Sequence, residues 1–195
     1  MLIYIHGFNS APNSHKARLV GERMRALGRE HEYLVPELPH QPAEAMALLR
    51  AMVEQHPGAA LIGSSLGGFY ATHLVERYAH LGLRAALVNP AVRPYDLLRA
   101  HLGPQKNIYT GAAYELTQQH ITQLQALDVA AITPSRYLLV TRTGDEVLNY
   151  RDAVEHYRGA QQRVIPGGDH GFGDFAEYLD EVLAFCGIQI GGAIA

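Results

Sequence analysis

LIGSSLGGFY, residues 61–70, ends an apolar run on two adjacent serines set between glycines and then resumes with helix-like spacing. Together with Ala59 and Ala60 it reads as a buried strand, AALI, followed by Gly63-Ser64-Ser65-Leu66-Gly67 and then a helix. This is a GxSxG pattern in the strand, turn, helix context from which it takes its meaning. The turn is so tight that its central residue, Ser65, must adopt a strained backbone. A glycine two positions away on either side lets strand and helix pass without a Cβ clash. A serine held there projects from the sheet edge at a helix N-terminus, where free N–H groups and the helix dipole favour developing negative charge.

The same alternation extends in both directions. Short apolar runs recur at LIYI (2–5), YLV (33–35), AALI (59–62), AALV (85–88), RYLLV (136–140) and RVI (163–165). Between most of them lie stretches with apolar residues three and four apart, at 14–27, 43–56, 66–78, 149–157 and 174–186. Strands too uniformly apolar to have one wet face, alternating with helices, predict an α/β fold with a parallel sheet covered on both sides. The 195 residues fit one domain, 1–195. One interval breaks the rhythm. Residues 89–134 show no clear strand, are punctuated by Pro90, Pro94, Gly103 and Pro104, and read as a helix over 114–127. This insertion, at about 90–134, is expected to hang over the carboxyl edge of the sheet as a small helical lid. The tail GIQIGGAIA, after Cys186, is expected to be loosely held.

Composition excludes several classes of partner. Sixteen Lys and Arg against 19 Asp and Glu give a net charge of -3, without the basic footprint that a nucleic-acid backbone or an anionic membrane requires. The start, MLIYIHG, lacks the charged and apolar regions of a signal peptide, and no segment approaches the roughly 18 apolar residues of a membrane span. A single cysteine, Cys186, precludes an intrachain disulfide and fits a reducing compartment, so a cytoplasmic location is expected. With no HExxH, no close cluster at ligand spacing and no GK[ST] after the glycine-rich turn, neither a metal nor another cofactor is expected.

A serine hydroxyl alone is a poor nucleophile and needs a base and an orienting acid from elsewhere in the chain. RYLLV is followed by Thr141-Arg142-Thr143-Gly144-Asp145-Glu146-Val147, and RVI by Pro166-Gly167-Gly168-Asp169-His170-Gly171-Phe172. Ser65, Asp145, His170 is the order in which α/β-hydrolases present nucleophile, acid and base. Of the eleven histidines, His170 is the one in a glycine-rich loop after the last strand. Among the nearby carboxylates Asp145 is expected to hold the base: Asp169 adjoins His170 too closely, Asp174 reads as a helix N-cap, and Glu146 suits the surface. The first strand ends in His6-Gly7-Phe8-Asn9, whose loop offers a second oxyanion donor. The expected donors are the N–H groups of Phe8 and Leu66, with His6 shaping the loop. Substrate is expected in a shallow apolar pocket bordered by Phe8, Tyr95 and Tyr114 that suits small or medium acyl chains.

At this point the chain resembles the α/β-hydrolase superfamily and, within it, the small YqiA-like esterases. The resemblance rests on IYIHGFNSAPNSHKA, GSSLGGFYATHL, NPAVRPYDLL, TGDEVLNY and GGDHGF, in that order along nearly the whole chain. It implies a trimmed fold with six parallel strands ordered 2-1-3-4-5-6, and a serine-dependent carboxylic-ester hydrolase whose triad positions match Ser65, Asp145 and His170. The partner is then a small acyl ester. An acyl thioester cleaved by the same triad, or a ligand bound without catalysis on the same scaffold, stand as alternatives.

Overall fold

All six apolar runs hydrogen-bond into one parallel sheet in the computed structural model, which describes residues 1–190. In chain order the strands and helices are β1 (Leu2–Ile5), α1 (His15–Ala26), β2 (Tyr33–Leu34), α2 (Pro42–Gln55), β3 (Ala60–Ser64), α3 (Leu66–Arg77), β4 (Arg84–Val88), α4 (Pro94–Leu98), β5 (Gly103–Lys106), β6 (Ala113–Leu116), α5 (Gln118–Gln125), β7 (Tyr137–Arg142), α6 (Tyr150–His156), β8 (Gln161–Ile165) and α7 (Leu179–Phe185). The sheet runs β2-β1-β3-β4-β7-β8, the expected order once the two strands of the insertion are set aside. Ile5 of β1 lies beside Gly63 of β3, so the loop after β1 and the turn after β3 leave the same edge side by side.

The unbroken apolar character of the strands follows from burial on both faces. Ile3, Ile5, Leu61, Leu87 and Leu139 pack on one side with residues of α2, α3 and the insertion. Their neighbours Leu2, Tyr4, Ile62, Val88 and Val140 pack on the other with α1 and α7. Side chains alternate across a strand, so each residue along it enters one core or the other.

The insertion departs from expectation. It contains a two-stranded antiparallel hairpin, β5 with β6, pairing Gly103 with Leu116 and Lys106 with Ala113. Tyr114 is therefore in a strand, and the helix expected from residue 114 starts only at Gln118, where the Thr117 and His120 side chains form a reciprocal cap. The competing signal is turn chemistry. Asn107 Oδ1 accepts from the N–H groups of Tyr109 and Thr110, and Gly111 takes a left-handed φ of 74°, closing the hairpin.

Two other expectations are corrected. The stretch from Asp174 to Cys186 is a 3-10 turn, Phe175–Tyr178, followed by α7. Of the tail expected to be loose, Ile188 is 5% exposed within the α1/α7 core and donates its N–H to Leu183 O. Residues 191–195 of that tail lie outside the described residues. No helix among the described residues is long and apolar enough to cross a membrane.

Candidate active site

The turn from β3 into α3 requires glycine for steric reasons. A Cβ on Gly67 would lie 1.9 Å from Ile5 O, and one on Gly63 would lie 2.6 Å from Gly67 O. Between them Ser65 adopts φ 54° and ψ −122°, a conformation that costs a non-glycine residue on the order of 1–3 kcal/mol. Three backbone bonds maintain it: Ser65 N–H donates to Val88 O at 3.1 Å, and Ser65 O accepts from Gly68 at 2.9 Å and Ala91 at 3.0 Å. Gly68 leaves room for Pro90, which a Cβ would approach to 2.6 Å.

Two loops from strands further along the sheet complete the site, the one after β8 reaching this serine and the one after β7 reaching the first loop. After β8, Gly167 and Gly168 take left-handed φ values of 66° and 74° and carry the chain to His170. After β7, Gly144 lets the two loops touch, since a Cβ there would lie 2.3 Å from Gly168 O. His170 Nε2 lies 3.1 Å from Ser65 Oγ, and His170 Nδ1 lies 2.8 Å from Asp145 Oδ2. A carboxylate only accepts, so Asp145 places the ring proton on Nδ1 and leaves Nε2 to accept from the serine hydroxyl. The Asp145 side chain is 1% exposed. Burial pushes its pKa up, but the His170 hydrogen bond and the N–H groups of Leu148 and Val147 outweigh burial and hold it below the ordinary aspartate value.

The other carboxylates have different partners. Asp169 Oδ1 accepts from Phe172 N–H at 2.8 Å. Asp174 makes no side-chain cap and pairs instead with Arg142, correcting its expected N-cap role. Glu146, expected to have a surface role, is exposed but accepts the His170 backbone N–H at 3.0 Å. Asn89, given no role by sequence reasoning, is 2% exposed with a φ of 41°. Its Nδ2 donates to Asp169 O at 3.2 Å and His170 O at 3.3 Å, while its Oδ1 accepts from Arg142 N–H at 2.9 Å. One carboxamide thus joins the ends of β4 and β7 to the histidine loop. The only local signal for it is an Asn directly after a strand, a residue type that tolerates positive φ.

The loop after β1 presses against Ser65. A Cβ on Gly7 would lie 3.0 Å from Ser65 Cβ and 3.5 Å from Ser65 Oγ. Phe8 follows directly, and Leu66, as the first residue of α3, has an N–H that precedes the helix's internal bonding. His6 stays out of the chain of hydrogen bonds to Ser65. Its Nε2 accepts from Leu38 N–H at 3.3 Å and its Nδ1 donates to Gly7 O at 3.1 Å, while burial lowers its pKa.

Ser65 and His170 open into a cavity of about 410 Å³ lined by Tyr4, Ser14, Lys16, Ser64 and Tyr109 among others. Phe8 borders this cavity and a second one of about 50 Å³, which it shares with Leu66 and Tyr114. Tyr114 is fixed by its hydroxyl, which donates to Asn9 Oδ1 at 2.8 Å, and its ring meets Phe8 edge-on. Tyr95 is not brought to either cavity: α4 turns its ring against Phe69, 6.4 Å away. Among the described residues no three His, Cys, Asp or Glu side chains form a metal-binding group.

The family model of UPF0227, described as an uncharacterised protein family, matches residues 1–187. Among solved structures, the chain is similar to Est1E from Butyrivibrio proteoclasticus (16% identity, 95% of this chain and 85% of that one, TM-score 0.73). It is similar also to alpha/beta hydrolase domain-containing protein 10 from mouse (17% identity, 95% and 86%, TM-score 0.67). A third is the esterase domain of a Rhodothermus marinus protein (18% identity, 93% and 83%, TM-score 0.64). At these identities the likeness shows the fold, which is that of the α/β-hydrolases.

Proposed function

The chain belongs to the UPF0227 family, and we propose that it is a serine hydrolase cleaving carboxylic esters through an acyl-enzyme. The observation that carries this reading is the continuous hydrogen-bonded path from Asp145 through His170 to Ser65, with spacings of 2.8 and 3.1 Å. Ser65 Oγ attacks the acyl carbonyl carbon while its proton passes to His170 Nε2, and the carbonyl electron pair moves onto oxygen. Collapse of that tetrahedral intermediate breaks the bond to the alcohol, which leaves with the proton from His170. Water, deprotonated by the same nitrogen, then attacks the acyl-serine, and collapse of the second tetrahedral intermediate releases the acid as His170 returns the proton to Ser65 Oγ.

Asp145 keeps the imidazole in the required tautomer and stabilises the imidazolium formed in each half. The N–H groups of Phe8 and Leu66 receive the oxyanion, each donor contributing about 3 kcal/mol to the transition state. The strained Ser65 backbone supports this reading, since a turn needed for packing alone gives no reason to hold a hydroxyl in that conformation.

A fluorophosphonate probe tests the proposal. Stoichiometric labelling confined to Ser65, absent in Ser65→Ala and accompanied by ester turnover, is the expected result. A folded protein that resists the probe would favour ligand binding without catalysis.

A further inference from the structure

The cavity shared by Ser65 and His170 is largely apolar, as expected, but carries a polar patch that the expectation did not include. Ile108, 77% exposed, and Tyr109 form a lip at the tip of the β5/β6 hairpin, and one wall of the cavity, lined by Ser14, His15 and Lys16, is polar. That wall is the start of α1, a helix of twelve residues. Its first internal bond runs from Arg18 N–H to Ser14 O at 2.9 Å, so the N–H groups of His15, Lys16 and Ala17 precede the bonded part of the helix.

Two side chains there have capacity that the proposed chemistry does not use. Ser14 occupies the N-cap position without a side-chain cap bond, although it is only 7% exposed and lines the cavity. Its hydroxyl has no protein partner among the described residues, in a position where such a group ordinarily serves the helix. Lys16 lines the same cavity and donates to Gly171 O at 2.7 Å, leaving two of its three ammonium donors. Burial lowers the Lys16 pKa, against the opposing pull of Asp169 and Asp145, so this ammonium has lost part of its hydration. Asp145 faces His170, and Asp169 is exposed and accepts from Phe172 N–H. Both carboxylates act on this ammonium, Asp145 from behind His170 and Asp169 from an exposed position, so the cationic groups of the wall, one ammonium and a helix N-terminus worth roughly half a positive charge, match a single carboxylate and not a dianion.

We infer that this wall is a carboxylate subsite, and that the preferred substrates are esters carrying a second, free carboxylate a few atoms from the scissile carbonyl. Lys16 and the Ser14 hydroxyl hold that carboxylate at the start of α1, and the Ile108 and Tyr109 lip covers the uncharged part. The inference rests on the hydrolase reading above and adds to it the substrate class.

Two matched pairs of esters test it: phenyl hemisuccinate against its methyl-capped diester, with the charge on the acyl side, and 4-acetoxybenzoate against its methyl ester, with the charge on the alcohol side. Each kcat/KM is normalised to the hydroxide-catalysed rate of the same ester. In at least one pair the charged ester is expected to be preferred about tenfold or more at low salt, the preference shrinking as salt is added. Lys16→Gln should collapse that ratio toward one and Lys16→Arg should restore most of it. A purely structural role at Gly171 would instead lower both members of the pair equally. Absence of preference in both pairs, or a preference that survives Lys16→Gln, overturns the carboxylate subsite while leaving the hydrolase reading in place. Failure to cleave any of the four esters, together with failure to react with fluorophosphonate, overturns both.

Discussion

Asp145 Oδ2 stands 2.8 Å from His170 Nδ1, whereas Asp169, adjacent to His170 in the chain, directs Oδ1 to the Phe172 N–H. The carboxylate 25 residues away reaches the imidazole because β7 and β8 are neighbours and their following loops touch at Gly144. Asp145→Asn is expected to keep the fold and lower kcat by about three to four orders of magnitude, through loss of the required tautomer. Asp169→Asn and Asp174→Asn should cost far less. Steady-state kinetics on one ester across the three variants decides the assignment, and a near-normal rate in Asp145→Asn would contradict it.

The same carboxylate carries a pH signature in stability. Its pKa is depressed in the folded protein relative to about 3.9 when unfolded, so its hydrogen bonds contribute fully above that unfolded value. The contribution is lost as pH falls through the lower, folded value. Urea denaturation between pH 7 and pH 2 is expected to show a smaller acid-side loss of stability in Asp145→Asn than in the parent. Parallel curves for the two proteins would show that Asp145 is not stabilised as an anion.

Asn89 holds the His170 loop by its backbone carbonyls, which under the proposed mechanism makes it a positioning residue. Asn89→Asp retains the acceptor for Arg142 N–H but sets a carboxylate against the carbonyls of Asp169 and His170. The expected result is a fall in kcat of about tenfold or more with KM little changed, as befits a displaced base. An unchanged kcat would show that the histidine loop holds its place without this carboxamide.

Gly67 has no room for a methyl group, because Ile5 O would lie 1.9 Å from it. Gly67→Ala should destabilise the protein by about 4 kcal/mol or more, since the carbonyl belongs to a central strand and cannot yield. Gly173→Ala, where nothing lies within 4 Å of the added Cβ, is the control. Chemical denaturation of the two variants compares them directly.

Cys186 is 8% exposed, and burial pushes its thiol pKa up to about 12. The native protein is therefore expected to resist a thiol-reactive disulfide reagent at neutral pH and to react with one equivalent on unfolding in guanidinium. Rapid native labelling would mean that the end of α7 opens readily.

Local sequence determined the fold class, because runs buried on both faces must be apolar throughout and the alternating helices must be periodic, whatever lies around them. It also determined where Ser65 sits, since the clash of strand against helix dictates glycine at 63 and 67 on steric grounds alone. The partners that hold the histidine loop were decided only in three dimensions. Glu146 and Asn89 reach it from 24 and 80 or more residues away, through contacts that leave no periodic trace in the chain. The hairpin of the insertion was obscured because four-residue strands are too short for their alternation to outweigh a competing helical pattern. The polar wall beside Ser65 arose in the same way. Ser14 and Lys16 read as the start of an ordinary amphipathic helix, and only the packing of α1 against the β1 and β8 loops brings that end to the cavity of Ser65.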